Sequence, residues 1–136
     1  MVGCAYGFEV EGFRALGIDA HGIDVSEFAI SQAKSELQPY LEVADARVKM
    51  GTYKRNEWDF IFSRWFLECM SDVDLAALIP EMNTACKSDQ VHIVNTEMRA
   101  DYYNVKSLLD WADLPFAVGT ILIPNDNFDE YLTVIN

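Results

Sequence analysis

Two short stretches, Gly3-Cys4-Ala5-Tyr6-Gly7 and, further along, Gly22-Ile23-Asp24-Val25-Ser26, decide how this chain folds. A loop of small residues that leads into a helix, followed by a short apolar strand that ends in an acid, is typical of a unit that holds the ribose of an adenosine ligand. Asp24 lies 21 positions after Gly3, near the spacing of about 20 expected for a ribose-binding acid. A carboxylate can accept strong hydrogen bonds from both ribose hydroxyls. The pattern therefore predicts an adenosine site near the start of the chain.

The spacing of the small residues separates two kinds of adenosine-binding loop. The dinucleotide pattern requires small residues at its first, third and sixth positions, and the sixth position counted from Gly3 is Phe8, whose side chain would hold the helix away from the strand. Small residues occupy the first, third and fifth positions instead, at Gly3, Ala5 and Gly7. This loop resembles that of class I S-adenosylmethionine (SAM)-dependent methyltransferases, a family with a Rossmann-like fold.

The resemblance implies SAM as the cofactor and a binding site at the carboxyl ends of the strands. It also implies that Asp45, with the backbone of Ala46, meets the adenine amino group, although an Asp after a strand is equally a common turn residue. The family lines its methyl-transfer cleft with the segment that follows the fourth strand. The predicted cofactor-binding residues are Gly3, Cys4, Ala5, Tyr6, Gly7, Asp24, Val25, Asp45, Ala46, Ser63, Arg64 and Trp65.

Helix and strand signals alternate along the rest of the chain. The predicted helices are 8–16, a helix capped by Ser26 that ends at Pro39, 73–87 capped by Asp72, and 107–112; the predicted strands are 18–24, 41–44, 58–63, 91–94, 116–123 and 131–135, with a turn over 49–57 and a loop over 99–104. We expect Pro80 to kink or restart the third of these helices. The order predicts an α/β fold, doubly wound, with a mostly parallel sheet and a C-terminal antiparallel hairpin, in one domain over 1–136.

The start of the chain departs from the methyltransferase pattern. In that family a buried apolar strand precedes the glycine loop, whereas Met1 and Val2 alone precede it here. The first strand, which is central in the family, is therefore largely missing. We expect its two neighbours to fill the gap by pairing, and the chain to be the downstream part of a longer product.

Charge and cysteine content limit the partners. The 136 residues carry a net charge of −12, which repels the phosphates of nucleic acids and anionic lipid surfaces. The three cysteines, Cys4, Cys69 and Cys86, form no Cys-x-x-Cys pair, which favours reduced thiols in the cytoplasm and gives no metal site. No apolar run is long enough for a membrane span. A small-molecule acceptor is the partner that these properties favour.

The resemblance predicts methyl transfer to an oxygen or nitrogen atom, but no residue is a clear general base. Glu68, Arg99, Tyr102 and Tyr103 are candidates by position, and Cys69 stands where many relatives carry a histidine. Two alternatives remain open. One is a non-catalytic SAM- or nucleoside-binding module or an inactive fragment, and the other is an NAD-dependent oxidoreductase, against which Phe8 argues.

Overall fold

A computed structural model describes residues 1–87, 90–95, 117–123 and 130–135. The helices are α1 (Phe8–Ala15), α2 (Glu27–Ser31), α3 (Ala46–Lys49) and α4 (Asp72–Ala85), and the strands are β1 (Gly22–Asp24), β2 (Leu41–Val43), β3 (Phe62–Arg64), β4 (Gln90–Asn95), β5 (Ala117–Ile123) and β6 (Glu130–Ile135). Short 3-10 turns cover Gln38–Tyr40, Met50–Thr52 and Leu67–Cys69. The predictions for 99–104, 107–112 and the turn between β5 and β6 lie outside the described residues.

The strands form a mostly parallel sheet that ends in an antiparallel hairpin. β1 pairs in parallel with β2, and β3 pairs in parallel with β4. β6 lies antiparallel between β4 and β5, so the second part of the sheet has the order β3-β4-β6-β5. The predicted α/β architecture with its C-terminal hairpin is confirmed.

Val2 joins the two parts of the sheet. It forms a parallel bridge to Ile23 of β1 on one side and to Ser63 of β3 on the other. The Val2 N–H donates to the Phe62 carbonyl at 2.9 Å, and the Gly3 N–H donates to the Ile23 carbonyl at 2.9 Å. The expectation that β1 and β3 would pair with each other is therefore wrong. Val2 lies between them and holds them two strand spacings apart, roughly 10 Å.

The strands on either side of Val2 both begin later than predicted. The predicted strand 18–24 is regular only over Gly22–Asp24, and the predicted strand 58–63 begins at Phe62 and continues to Arg64. In both strands the regular part is centred on the residue that pairs with Val2. A strand is defined by its neighbours, and pairing cannot be deduced from apolar composition alone. Trp58 makes an isolated bridge to Cys86.

The helix after β1 is also shorter than predicted. The Ser26 hydroxyl caps it as expected, because its oxygen accepts the Ala29 N–H at 3.1 Å. The helix ends at Ser31, well before Pro39. The Gln38 side-chain amide donates to the Ile30 carbonyl at 2.8 Å and to the Ala33 carbonyl at 3.2 Å. A side chain thus satisfies carbonyls that a longer helix would have used.

Helix α4 provides the largest buried face. Ser71, one residue before the predicted Asp72, is its N-cap and accepts the Asp74 N–H at 3.1 Å. Pro80 lies inside one continuous helix, so of the two predicted outcomes, a kink or a restart, the restart is wrong. The buried residues of this helix are Leu75, Leu78, Ile79, Met82 and Ala85. They form one core cluster with Val2, Ile23, Ile61 and Leu67. At 14 residues, α4 is not long enough to cross a membrane, and no helix of the described segments is.

Candidate functional site

The glycine loop turns sharply around the end of β1. Gly3, Ala5 and Gly7 all have left-handed backbone angles, with φ of 71°, 44° and 79°. The N–H groups of Gly3 and Cys4 both donate to the Ile23 carbonyl, at 2.9 and 3.0 Å. Left-handed backbone at alternate positions favours glycine and strains alanine. The loop is therefore bent by its small residues and fixed to β1 by main-chain hydrogen bonds.

Asp24 fastens the middle of this loop to the end of β1. Its Oδ2 accepts the Ala5 N–H at 2.8 Å, and its Oδ1 accepts the Ser26 N–H at 2.8 Å. A carboxylate offers about four acceptor sites. Asp24 can thus hold both backbone donors and still accept two hydroxyl groups from a ligand.

A cavity of about 370 Å³ opens at the carboxyl ends of β1, β2 and β3, which is where ligands bind in open α/β sheets. Its walls contain eight of the predicted residues: Gly3, Ala5, Asp24, Val25, Asp45, Ala46, Arg64 and Trp65. Six further residues line it: Ile23, Ala44, Arg47, Phe66, Cys69 and Met70. All six lie within a few positions of a strand's carboxyl end, and that adjacency is the signal that could have identified them.

Four predicted residues do not line the cavity. Cys4 and Ser63 are buried, and burial raises the pKa of the Cys4 thiol to about 12. Gly7 is buried against Leu41. Tyr6 lies on the surface with its ring 5.9 Å from that of Phe8. Of the five predicted loop residues, Gly3 and Ala5 therefore border the cavity.

Phe8 does not separate α1 from the sheet, contrary to the expectation drawn from its position. Its side chain is 67% exposed, and the residue of α1 that packs into the core is Val10, which is fully buried. Phe8 is the first residue of α1, and its side chain faces solvent. Its size therefore does not argue against a dinucleotide.

Asp45 has the capping role of a turn residue. It is the N-cap of α3, and its Oδ1 accepts the Arg47 N–H at 3.0 Å. The Arg47 guanidinium also donates to both carboxylate oxygens, with a shortest distance of 2.6 Å. These hydrogen bonds hold the pKa of Asp45 below its usual range and raise that of Arg47. The carboxylate is thus occupied, and a contact with an adenine amino group would require Arg47 to move.

Arg64 and Trp65 form the wall that follows β3. The Arg64 guanidinium carbon lies 4.3 Å from the centroid of the Trp65 ring, and the guanidinium is 3.6 Å from the Glu9 carboxylate on α1. Trp65 has a left-handed φ of 54°, a strained conformation for a large residue that is often found at functional sites. The strained turn directs the chain into the segment that contains Phe66.

Cys69 is one of the residues that line the cavity. Partial burial, together with the carboxylates of Glu68 and Asp24, raises the pKa of its thiol. The thiol is protonated at neutral pH and is 3.6 Å from the Trp65 carbonyl. A neutral thiol is a poor base and a weak nucleophile, so the Cys69 side chain is not suited to act as a general base. Glu68, the candidate base among the described residues, is fully buried.

The chemistry of the cavity fits an adenosine ligand that also carries charges. Its volume lies in the usual range for small-molecule sites. Asp24 supplies acceptors for ribose hydroxyls, and Arg64 supplies a positive charge. Apolar side chains, among them those of Ile23 and Phe66, supply surface for a flat base. A hydrogen-bond acceptor, a positive charge and apolar surface are thus all present for SAM.

Three solved structures have the same fold. A protein from Pyrococcus horikoshii OT3 matches with a TM-score of 0.79 at 14% identity, over 99% of this chain and 79% of that one. A SAM-dependent methyltransferase from Archaeoglobus fulgidus matches with a TM-score of 0.75 at 13% identity, over 98% and 83%. The 1,6-didemethyltoxoflavin-N1-methyltransferase of Burkholderia thailandensis, with bound 1,6-didemethyltoxoflavin and S-adenosylhomocysteine, matches with a TM-score of 0.77 at 11% identity, over 98% and 68%.

Sequence comparison gives the family. No curated protein matches the chain significantly. The family profile of the methyltransferase domain matches residues 1–94, more than half of the chain. SAM is the cofactor of this family. The match includes the glycine loop, Asp24 and the whole cavity wall up to Met70. The chain belongs to the methyltransferase domain family.

Proposed function

We propose that this chain is a single SAM-binding domain over residues 1–136 that transfers a methyl group to an oxygen or nitrogen atom of a small molecule. The observation that carries the proposal is the position of Asp24. It ends β1, accepts the Ala5 N–H of the glycine loop at 2.8 Å, and borders the cavity. A carboxylate placed beside a small-residue loop is the arrangement expected for a ribose.

Each part of SAM has a matching group in the cavity wall. Asp24 would hold the ribose hydroxyls, and Val25 and Ala46 would flank the adenine. Arg64 would pair with the carboxylate of the methionine part, because a guanidinium binds carboxylates well. Asp45 would contribute by fixing the start of α3 through its cap, since Arg47 already occupies its oxygens.

Methyl transfer requires mainly that the methyl group of SAM be aligned with the acceptor atom. SAM, when bound, supplies a methyl group on a positively charged sulfur, which is already a strong electrophile. The residues of this chain would bind the cofactor, orient it and keep water from the cavity, which is catalysis by proximity. Of the candidate bases, the one that lies among the described residues, Glu68, is fully buried. The other candidates, Arg99, Tyr102 and Tyr103, lie outside the described residues.

A small-molecule acceptor is supported by two observations. The net charge of −12 disfavours nucleic acid and anionic membranes. The Burkholderia thailandensis relative in fold binds a small heterocycle and is named for methylation at a nitrogen. Three free cysteines agree with a reducing compartment such as the cytoplasm.

Titration calorimetry with a pair of variants tests the site. We expect the chain to bind SAM but not NAD. Asp24→Asn should weaken SAM binding by about 10- to 100-fold, the scale of hydrogen bonds to a charged group. Glu81→Gln, which changes an exposed acid of α4 outside the cavity wall, is the control and should leave SAM binding unchanged. Circular dichroism would verify that both variants fold.

Other results would change the assignment. Equal SAM affinity for the Asp24→Asn variant and the unaltered chain would place the cofactor elsewhere, and binding of NAD alone would favour the oxidoreductase. Saturable SAM binding without release of S-adenosylhomocysteine, over a broad panel of oxygen and nitrogen acceptors, would favour the non-catalytic module.

A further inference from the structure

A charged cluster of Asp45, Arg47 and Asp74 lies at the cofactor cavity, just after β2. Asp45 and Arg47 line the cavity, and Asp74 lies in the first turn of α4. The Arg47 Nη2 is 2.6 Å from the Asp45 Oδ2, and the Arg47 Nη1 is 3.6 Å from the Asp74 Oδ1. One guanidinium therefore connects the start of α3 to the start of α4 at the wall of the site.

The contacts of Arg47 fill the acceptor sites of the Asp45 carboxylate. The Asp45 Oδ1 accepts the main-chain N–H of Arg47 at 3.0 Å and its Nε–H at 3.0 Å. The Asp45 Oδ2 accepts the Nε–H at 3.1 Å and an Nη2–H at 2.6 Å. A carboxylate offers about four acceptor sites, and these contacts use all of them. Asp24 differs, because it can accept further donors beside its two N–H partners.

Asp74 holds the guanidinium from the other side. The Ser71 hydroxyl donates to the Asp74 Oδ2 at 2.7 Å, and the Asp74 Oδ1 faces Arg47. The Ser71 hydroxyl, and after it the Arg47 charge, hold the pKa of Asp74 below its usual range. Both carboxylates are thus ionised at neutral pH. A neutral donor of a ligand would have to displace charge-assisted hydrogen bonds, which are the stronger kind.

The register of the sheet places this cluster near the base of a bound SAM. Asp24 pairs with Val43 of β2, so the two strand ends are about 4.8 Å apart. Residues 44–47 follow directly, and all four line the cavity. A ribose held by Asp24 would bring its base within reach of this segment. This placement rests on the proposed function.

We propose that Arg47 determines the base selectivity of the cofactor site: by holding both oxygens of Asp45, it prevents the site from selecting the exocyclic amino group of adenine. The amino group is a donor, and the guanidinium that it would meet is also a donor with no acceptor. The base would be held through its faces by the apolar wall, and the ribose by Asp24. A cofactor analogue without the amino group should therefore bind as tightly as the parent compound.

Calorimetry with S-adenosylhomocysteine and its deamino analogue, which has hydrogen in place of the adenine amino group, tests the role of Arg47. The unaltered chain should bind the two compounds with dissociation constants within about threefold of each other. Arg47→Met should release the Asp45 carboxylate to the amino group and favour S-adenosylhomocysteine by about tenfold or more, the scale of a hydrogen bond to a charged group. The ratio of the two constants cancels any general effect of a variant on the fold.

Two further variants are controls. Lys49→Met removes another cation of α3, which pairs with Glu42 at 2.7 Å and lies outside the cavity wall, and it should leave the ratio unchanged. The double variant Arg47→Met with Asp45→Ser keeps a hydroxyl that can cap α3 but has no carboxylate. Its ratio should return to within about threefold, which would identify the carboxylate as the group that reads the amino group in the single variant.

Two results would overturn this inference and leave the proposed function intact. The first is a preference of the unaltered chain for S-adenosylhomocysteine by about tenfold or more, because Asp45 would then read the amino group in spite of Arg47. The second is an unchanged ratio in the Arg47→Met variant. If the unaltered chain bound neither compound, the proposed function itself would be wrong, and the inference with it.

Discussion

Gly7 is a residue of the glycine loop at which the backbone conformation depends directly on the absence of a side chain. Its φ is 79°, and a Cβ atom there would lie 3.0 Å from the Leu41 side chain. A residue with a Cβ in the left-handed region costs about 1 to 2 kcal/mol. Gly12 on α1 is a natural contrast, because nothing lies within 4 Å of a Cβ added there and its φ is not left-handed.

Substitution by alanine should change the free energy of unfolding in opposite directions at Gly7 and at Gly12. Gly7→Ala should lower the free energy of unfolding by about 1 to 2 kcal/mol or more, and it should weaken SAM binding because the loop must shift. Gly12→Ala should raise the free energy of unfolding by about 0.5 to 1 kcal/mol, since alanine favours a helix interior. Urea unfolding and calorimetry measure both quantities. A Gly7→Ala variant as stable as the Gly12→Ala variant would contradict the loop conformation.

At the scale of elements, α4 shows how packing overrides a local signal. Pro80 lacks an N–H, so the Ala76 carbonyl four residues earlier loses its helical partner. Both residues lie on the exposed side of the helix, where water can satisfy that carbonyl. On the opposite side Leu78, Ile79 and Met82 are almost fully buried. The burial of that face outweighs the proline, and the helix continues.

Pro80→Ala should therefore stabilise the protein. Restoring the hydrogen bond in an exposed helix interior should raise the free energy of unfolding by about 1 to 3 kcal/mol, less the entropy that proline removes from the unfolded chain. The exposed neighbour Glu81 provides the control, because Glu81→Ala should change stability by about 0.5 kcal/mol or less. Chemical denaturation measures both. Destabilisation by Pro80→Ala would mean that the proline fixes a geometry that the core needs.

At the scale of the whole molecule, the buried Met1 ammonium links stability to pH, because it lies where the two parts of the sheet meet. Its pKa falls from 8.0 to about 6 on folding. Below pH 6 the ammonium is charged in both states, and the full cost of burying it is present. Between pH 6 and 8 the unfolded chain binds more protons than the folded chain, so the free energy of unfolding rises with pH. Above pH 8 the cost is gone.

The total rise should be roughly 2 to 3 kcal/mol, which corresponds to a shift of about two pKa units. Denaturant titrations at pH 5.5, 7 and 8.5 measure it. A chain acetylated at its amino terminus is the matched reference, because it keeps both histidines and lacks only the titrating amine. Parallel stability curves for the two chains would exclude a role for the ammonium.

Local chemistry in the sequence determined the elements and much of the site. The left-handed turns of the glycine loop require small residues, so the loop could be predicted from Gly3 and Gly7. The position of Asp24 at the end of a strand and the N-cap of α2 at Ser26 could be predicted in the same way. Each of these features depends on residues within a few positions of one another, and such interactions are visible in a sequence.

Only the tertiary structure decided the features that depend on distant partners. The lengths of β1 and β3 follow from Val2, which pairs with both, and the end of α2 follows from Gln38, which reaches back to Ile30. The hydrogen bonds from Arg47 to the Asp45 carboxylate depend on the side-chain rotamer of Arg47, which no sequence pattern specifies. The cavity between residues 18–21 and residues 58–61 exists because Val2 holds β1 and β3 apart. Spacing along the chain does not encode such separations, because the folded core sets them.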